Sequence, residues 1–414
     1  TGQIKLSSTI YHMLSPADIN INSIKADYEV PFKKGKLGVG AKSAWVETDN
    51  NFQRYNVYAT GEELDNDRSN HFVYRENINA GYVNYNRQYK KFMIQVGLRI
   101  ENTVSKGVST GLKQAGSNYI TSISSFERSY TDLFPSGAIT FNKNPMKQWS
   151  FSYSRRIDRP AYQDLNPFEF KLDEYTFQKG NINLRPQYTN SFGLTHTYKY
   201  KLNITLNYSH VKDMFTQLID TAEKSKAFIS KKNLATQDIT SLAVSYPFQY
   251  KSYSLFTSLS TNYSKYHADF GDGRKVDLDA FGLNFFVQNS LKFAKTWTAE
   301  LSGFYNAPTI YAGSFRGRSL YSVDAGLQKQ IMKGKATIKA SVSDVFHTMR
   351  FRAVSDFAGQ TTRFSSRWES RQFKLNFNLR FGNNGVKPAR QRSGGADDEL
   401  KRTQQSGGMG IGNN

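Results

Sequence analysis

The stretch RQFKLNFNLRF (Arg371–Phe381) alternates apolar and polar residues without a break. Its apolar positions are Phe373, Leu375, Phe377, Leu379 and Phe381. Because successive side chains of a β-strand point to opposite faces, the stretch is predicted to be a strand with one apolar and one polar face. The apolar face must contact either the core of a soluble protein or the lipid of a membrane.

The same alternation recurs along the chain. It is clearest in KLNITLNYS (Lys201–Ser209), QWSFSYS (Gln148–Ser154), KFMIQVGLRIE (Lys91–Glu101) and KATIKASVSD (Lys335–Asp344). Helical spacing is not sustained anywhere, and no apolar run approaches the roughly 18 residues that a membrane helix requires. The sequence therefore predicts an all-β protein.

The connections between strands fall into two classes that alternate. Short polar turns are predicted near residues 33–36, 90–91, 144–147, 198–201, 249–252, 294–296 and 333–335. Longer loops are predicted at about residues 49–70, 105–128, 158–185, 213–234, 268–275, 307–317 and 348–365. Outer-membrane β-barrels have this asymmetry, with short periplasmic turns and long outer loops. We therefore predict an antiparallel up-and-down transmembrane β-barrel with about 16 strands. The first two strands are expected near residues 4–12 and 23–32.

The repeat of roughly 45 residues is also compatible with a β-propeller, a soluble fold. Two observations favour the barrel. The polar faces are rich in Asn, Ser and Thr, and the short turns are flanked by aromatic residues, as in an interfacial girdle. These aromatic residues are Phe32, Tyr89, Phe92, Phe141, Trp149, Tyr198, Tyr200, Phe248, Tyr253, Phe293 and Trp297.

The composition limits the partners. The 414 residues carry a net charge of +21, 38% are hydrophobic, and the mean hydropathy is −0.60. The basic residues are scattered and no recognition motif accompanies them, so we predict no nucleic-acid partner and assign the charge to outer-membrane lipid and lipopolysaccharide. The chain contains no cysteine, which excludes disulfides and thiolate metal sites. Its first residues lack a signal-peptide pattern, so any signal peptide is expected to lie outside this sequence.

Four stretches resemble a known family. They are FSYSRRIDRPAYQDLNPFEFKLDEYTFQKGNINLRPQYTNSFGLTHTYKY (Phe151–Tyr200), YTDLFPSGAITF (Tyr130–Phe141), SRWESRQFKLNFNLRFG (Ser366–Gly382) and GGADDEL (Gly394–Leu400). They resemble the barrel of TonB-dependent receptors in the version common in Bacteroidetes-type bacteria. The resemblance implies a barrel of about 22 strands with a plug in its lumen, in the outer membrane of a Gram-negative bacterium.

The chain departs from that family pattern in two ways. It has about 16 predicted strands, and no stretch resembles the plug or the segment that contacts TonB. We therefore interpret residues 1–381 as the C-terminal part of the receptor barrel and residues 382–414 as a flexible periplasmic tail, open to protease. The resemblance implies energised uptake of a scarce nutrient or chelate, with TonB as a partner through the plug. A passive 16-stranded porin and a soluble binding protein are the alternatives, and neither the solute nor a lipoprotein partner is identified by the sequence.

No catalytic, metal or cofactor site is predicted, and the chain is not expected to be an enzyme. The six histidines, His12, His71, His196, His210, His267 and His347, have no metal-ligand spacing. The acidic stretch DFGDGRKVDLD (Asp269–Asp279) lacks the ligand pattern of a calcium loop and is predicted to be a hairpin tip. Ser209, His210 and Asp213 are close in sequence but do not define a triad. Arg156 and Asp158 share the polar face and could form an ion pair or contact a solute.

Overall fold

The computed structural model describes residues 8–172, 175–223, 226–233, 236–269, 275–311, 315–357, 360–381 and 395–404. Nearly all of these residues are in β-strands, as the alternation predicts. The first strands are β1 (Ile10–Leu14), β2 (Ala17–Phe32), β3 (Gly35–Tyr58), β4 (Gly61–Leu64), β5 (Asn70–Gln88), β6 (Phe92–Ala115), β7 (Asn118–Asn144), β8 (Lys147–Asp158), β9 (Glu169–Lys171), β10 (Thr176–Lys179), β11 (Gln187–Tyr198) and β12 (Leu202–Lys212). The others are β13 (Phe215–Glu223), β14 (Lys226–Asn233), β15 (Thr236–Tyr250), β16 (Tyr253–Asp269), β17 (Lys275–Lys292), β18 (Trp297–Asn306), β19 (Thr309–Tyr311), β20 (Phe315–Gly317), β21 (Leu320–Ile331), β22 (Ala336–Ser343), β23 (Arg350–Phe357), β24 (Gln360–Arg367) and β25 (Gln372–Leu379), followed by helix α1 (Asp397–Gln404).

One antiparallel sheet of 17 strands dominates the fold. Two of these strands, β1 and β4, pair only with the outer end of β3. Without them, 15 strands form the meander. Their spatial order is β2, β3, β5, β6, β7, β8, β11, β12, β15, β16, β17, β18, β21, β22 and β25. The meander thus has one strand fewer than the predicted 16. Of the strand expected near residues 4–12, residues 4–7 lie outside the described part and the described residues form β1, whereas the strand expected at 23–32 begins earlier, at Ala17.

The predicted short turns are all present at one end of the sheet. Several of them place lysine in the left-handed region that tight hairpins require, including Lys33 at φ 43°, Lys34 at φ 63°, Lys199 at φ 50° and Lys251 at φ 50°. Aromatic rings lie beside these turns, and the Lys33 ammonium group is 5.3 Å from the centroid of the Phe32 ring. This end of the barrel therefore carries the predicted aromatic girdle, together with lysine.

The predicted long loops are partly wrong, because the strands extend into them. Strands β6 and β7 have 24 and 27 residues, whereas about 10 residues suffice to cross a bilayer. Most of the loop expected at residues 105–128 is therefore hairpin. Two small sheets occupy other predicted loops: β9, β10, β13 and β14 form one, and β19, β20, β23 and β24 form the other.

The two faces of the main sheet differ as the sequence predicts. One face carries a row of apolar residues in register on four adjacent strands, and these residues are 38–47% exposed. They are Phe151, Leu194, Leu206 and Leu242. The opposite face carries Ser152, Gly193, Asn207 and Ser241 at the adjoining positions. A continuous apolar band of this kind is not left in water by a soluble protein, and it suits the hydrocarbon of a membrane. Among the described residues, no helix has the length and apolar character needed to cross a membrane.

Candidate functional site in the barrel lumen

The connection between β8 and β11, residues 159–186, folds onto the polar face of the sheet, which we call the lumenal face. Tyr162, Leu165 and Leu184 form a buried cluster there with three wall residues, Val46, Phe72 and Tyr74. The Tyr162 and Leu184 side chains are fully buried. The long connection predicted at residues 158–185 is therefore present, and Tyr162, Leu165 and Leu184 pack it against the lumenal face.

A close approach between two backbone segments allows this connection to pack. An added Cβ atom at Gly180 would lie 2.0 Å from the carbonyl oxygen of Asn166, so only glycine fits there. The Arg128 side chain, which projects from β7, donates to the carbonyl oxygens of Ile182 and Leu184, the latter at 2.6 Å. The wall and the connection are thus joined by polar as well as apolar contacts.

An ion pair fixes the start of the connection to the wall. Arg159 Nη2 donates to Glu101 Oε2 at 2.9 Å and to Thr103 Oγ1 at 2.8 Å, and Arg159 Nε donates to the Tyr130 hydroxyl at 3.2 Å. The Glu101 side chain is 8% exposed and that of Arg159 is 11% exposed. A charge pair with so little access to water must stay intact, because each partner is costly to bury alone.

Helix α1 also lies against the lumenal face. The Lys42 ammonium group donates to Glu399 Oε1 at 2.9 Å, and Arg402 Nε donates to the Pro160 carbonyl oxygen at 3.1 Å. The Arg402 guanidinium pairs with the carboxylate of Glu76 and lies 4.4 Å from the centroid of the Tyr162 ring. Burial alone would lower the pKa of Arg402, but the negative charge of Glu76 raises it, so the guanidinium stays charged.

Helix α1 lies within residues 382–414, the segment predicted to be a flexible periplasmic tail. Glu399 and Arg402 are 2% and 8% exposed, so these two side chains hold helix α1 against the wall. The physical reason is charge: DDELKR places one acid and one base, three residues apart, against a base and an acid of the wall. Residues 382–394 and 405–414 lie outside the described part, and the division at residue 381 stays a prediction.

We expect a disulfide to form between cysteines placed at positions 23 and 395. A Cβ atom added to Gly395 would lie 3.8 Å from the Cβ of Ser23, which is the mean separation in disulfides, about 3.8 Å. Because the natural chain has no cysteine, Ser23→Cys/Gly395→Cys gives an unambiguous mobility shift on non-reducing gels. The control is Ser302→Cys/Gly395→Cys, whose position 302 lies on β18. Equal cross-linking in both variants would contradict the position of the helix.

Each of the six histidines has a contact of its own in the structure. His12, His71, His210 and His267 each contact one carboxylate, of Glu62, Asp49, Asp238 and Asp277 respectively. His196 Nδ1 is 3.0 Å from the Gln148 carbonyl oxygen, and His347 contacts Arg367. Within the described ranges, no group of three or more histidine, aspartate or glutamate residues could hold a metal ion.

The other sequence candidates are not brought together. The Ser209 hydroxyl pairs with Ser191, His210 contacts Asp238 on the opposite face, and Asp213 accepts from Arg185. In the described residues, Arg156 and Asp158 form no ion pair with each other, and Asp158 accepts from Gln187 instead. Within the stretch 269–279, residues 270–274 lie outside the described part. The strands on either side pair as Asp269 with Lys275, consistent with a hairpin tip.

The residues of the lumenal network were not identified from the sequence. Glu76 and Glu101 occupy polar-face positions like many others, Arg159 follows the end of β8, and only the fold brings Arg402 to Glu76, 326 residues away. One available signal was the RPAYQDLNP segment after β8, in which Tyr162 and Leu165 have a spacing unlike that of a strand.

A second buried carboxylate organises the outer end of β22. Asp344 is 1% exposed, and its oxygens accept hydrogen bonds from the Ser370 hydroxyl at 2.6 Å and from the backbone of Thr348 and Met349 at 2.8 and 3.1 Å. Burial alone would raise the pKa of Asp344, but these hydrogen bonds lower it to about 2, against an ordinary value of 3.8.

The lowered pKa predicts a pH-dependent contribution to stability. The charged Asp344 should contribute about 2 kcal/mol that is fully present above pH 3.8 and is lost as the pH falls towards 2. Asp344→Asn should therefore be less stable than the natural protein at pH 7 and equal to it near pH 2. Urea titrations across this pH range in detergent micelles check the prediction, and a constant difference at all pH values would contradict it.

Comparison with known proteins identifies the family. The model of the outer membrane protein beta-barrel family matches residues 1–379. The chain belongs to this family. Its apolar band therefore contacts the lipid of a Gram-negative outer membrane, and the alternative of a soluble propeller is wrong. Among curated proteins, no sequence matches the chain.

Several solved structures share the barrel. The ferric yersiniabactin uptake receptor FyuA from Yersinia pestis is 13% identical, with a TM-score of 0.64 over 91% of this chain and 56% of the receptor. The ferric-catecholate import receptor Fiu from E. coli is 10% identical, with a TM-score of 0.63 over 89% of this chain and 55% of the receptor. The siderophore receptor PiuA from Acinetobacter baumannii is 11% identical, with a TM-score of 0.61 over 89% and 56%. The chain thus shares the barrel fold of these three receptors and spans just over half of their length.

Proposed function

We propose that this chain forms the C-terminal part of the barrel of a TonB-dependent receptor of the Bacteroidetes type. The receptor takes up a scarce nutrient, such as a metal chelate, with energy supplied through TonB. The plug and the segment that contacts TonB belong to polypeptide outside this sequence. Neither catalysis nor a bound cofactor is part of the proposal.

The direction of the two edge strands carries this proposal. Strand β2 runs into the short turn after Phe32, and β25 ends opposite Ala336, beside the short turn before β22. Both edges therefore run towards the same end of the barrel. Among the described residues, neither outer edge pairs with another strand. An antiparallel barrel cannot join two parallel edges directly, so closure requires an odd number of further strands. Seven would give the 22 strands that the resemblance implies.

The same observation argues against a passive 16-stranded porin. A porin of this chain alone would need an even number of strands and an open channel. The meander has an odd number of strands among the described residues, and residues of the 159–186 connection and of helix α1 cover part of the lumenal face. A partly covered lumenal face suits a transporter that opens only when energy is supplied better than it suits a permanently open pore.

The proposal is tested with the full-length receptor, without knowledge of the solute. In planar bilayers the purified receptor should show no steady ion conductance. Deleting its gene and deleting the gene for TonB should cause the same growth defect when the nutrient is limiting. A steady conductance, or growth supported by the receptor in the absence of TonB, would overturn the proposal. Candidate solutes and a lipoprotein partner can then be sought by co-purification.

A further inference from the structure

A small sheet stands at the long-loop end of the barrel. Strands β19 and β20 form the connection between β18 and β21, and β23 and β24 form the connection between β22 and β25. The two hairpins are joined through β20 and β23. Since the short turns of an outer-membrane barrel are periplasmic, this four-stranded sheet is at the outer rim.

The two faces of the small sheet have opposite characters. One face is covered: Phe315, Ala353 and Ser355 are 9%, 2% and 5% exposed, and the Phe315 ring packs on Phe364 at 5.6 Å. The other face is exposed and carries five arginines. We call it the arginine face, and its members are Arg316, Arg350, Arg352, Arg363 and Arg367.

The register places these charges close together. Arg350 is directly opposite Arg367, and both Arg363 and Arg316 are opposite Val354 at the centre of the face. Side chains opposite each other on neighbouring strands are about 5 Å apart, and like charges in such positions are destabilising. The arrangement therefore costs stability unless an anion is bound.

The protein supplies little to neutralise these charges. Within the described part of the chain, none of the five arginines forms an ion pair with a carboxylate. Arg367 Nη2 lies 2.8 Å from His347 Nδ1. Asp356, at the far end of the same face, accepts from the Thr361 hydroxyl at 3.3 Å. The position of the face is held by the Asp344 hydrogen bonds at the base of β23.

We propose that the arginine face binds the phosphate groups of lipopolysaccharide in the outer leaflet. Guanidinium groups bind phosphate with two parallel hydrogen bonds, and a flat array of them matches a layer of phosphate head groups. The outer rim is where such head groups lie. This inference requires only the outer-membrane location of the family, and it holds whether or not the barrel transports a chelate.

The test removes two charges that have no side-chain partner among the described contacts. Arg350→Gln/Arg352→Gln is compared with Lys90→Gln/Lys91→Gln, which loses the same charge at the short-turn end. Binding of diphosphoryl lipid A to the purified full-length receptor in uncharged detergent is measured by titration, with monophosphoryl lipid A in parallel. The arginine variant should bind diphosphoryl lipid A roughly tenfold more weakly, and the lysine variant should bind it as the natural protein does. The natural protein should bind monophosphoryl lipid A more weakly than diphosphoryl lipid A.

The melting temperature without lipid A distinguishes a loss of binding from a loss of folding. Since the substitutions relieve repulsion, the arginine variant should melt at the same temperature as the natural protein, or higher, in the absence of lipid A. Unchanged affinity for lipid A in the arginine variant would overturn the proposal. It would also be overturned if the variant lost binding of soluble ferric citrate and retained binding of lipid A, because the face would then serve a solute.

Discussion

Glu101→Ala should destabilise the barrel by about 3–5 kcal/mol, because it leaves the Arg159 guanidinium buried without a counter-charge. Glu101 is 6% exposed, and Arg159 Nη2 lies 2.9 Å from its carboxylate. The loss should be seen in urea titrations of the protein in lipid vesicles. Residues 159–186 should also become accessible to protease.

An exposed ion pair between β6 and β7 supplies the first control for this prediction. Glu127 forms an exposed pair with Lys106 at 3.8 Å, so Glu127→Ala should cost less than about 1 kcal/mol. The double variant Glu101→Ala/Arg159→Ala should recover part of the loss, because neither charge is then buried alone. If Glu101→Ala costs no more than Glu127→Ala, the lumenal position of residues 159–186 is wrong.

Leu206→Arg should destabilise the barrel by roughly 2–4 kcal/mol, because it places a charge in the middle of the hydrocarbon. Leu206 is 46% exposed, and it lies in register between Leu194 and Leu242 on the apolar face. The adjacent Asn207 is on the lumenal face, so Asn207→Arg should be tolerated. Folding titrations in lipid vesicles compare the two variants, and equal costs would show that the faces are assigned incorrectly.

The fold could be predicted from the sequence where one face of a strand decides its residues. In β12 and β25, alternate positions face lipid and water, so apolar and polar residues alternate in the sequence. This alternation predicts both strands. The same reasoning located the short turns. The same reasoning fails where strands leave the membrane: β6 and β7 continue well past the roughly 10 residues that cross a bilayer, and their outer parts are rich in Ser, Thr and Gly, a composition that predicts a loop.

The lumenal network could not be predicted because it depends on distant partners. Glu76 follows the alternation of β5 like any polar residue, and its burial results from Arg402 and Tyr162, which the fold brings to it. Helix α1 has too few residues to form alone in water, and the charged wall stabilises it. Composition marked this segment as a tail, whereas the structure places its charges opposite Lys42 and Glu76.

The central claim is that alternate residues of each strand contact lipid and the lumen. A spin-label scan along β12 tests it most directly, since the chain has no cysteine and single cysteines can be placed from Leu202 to Lys212. Collision with oxygen, which dissolves in lipid, should be highest at positions 204, 206 and 208. Collision with a water-soluble nickel chelate should be highest at positions 203, 205 and 207. A scan in which both quenchers rise and fall together, or in which no position meets lipid, would contradict the account.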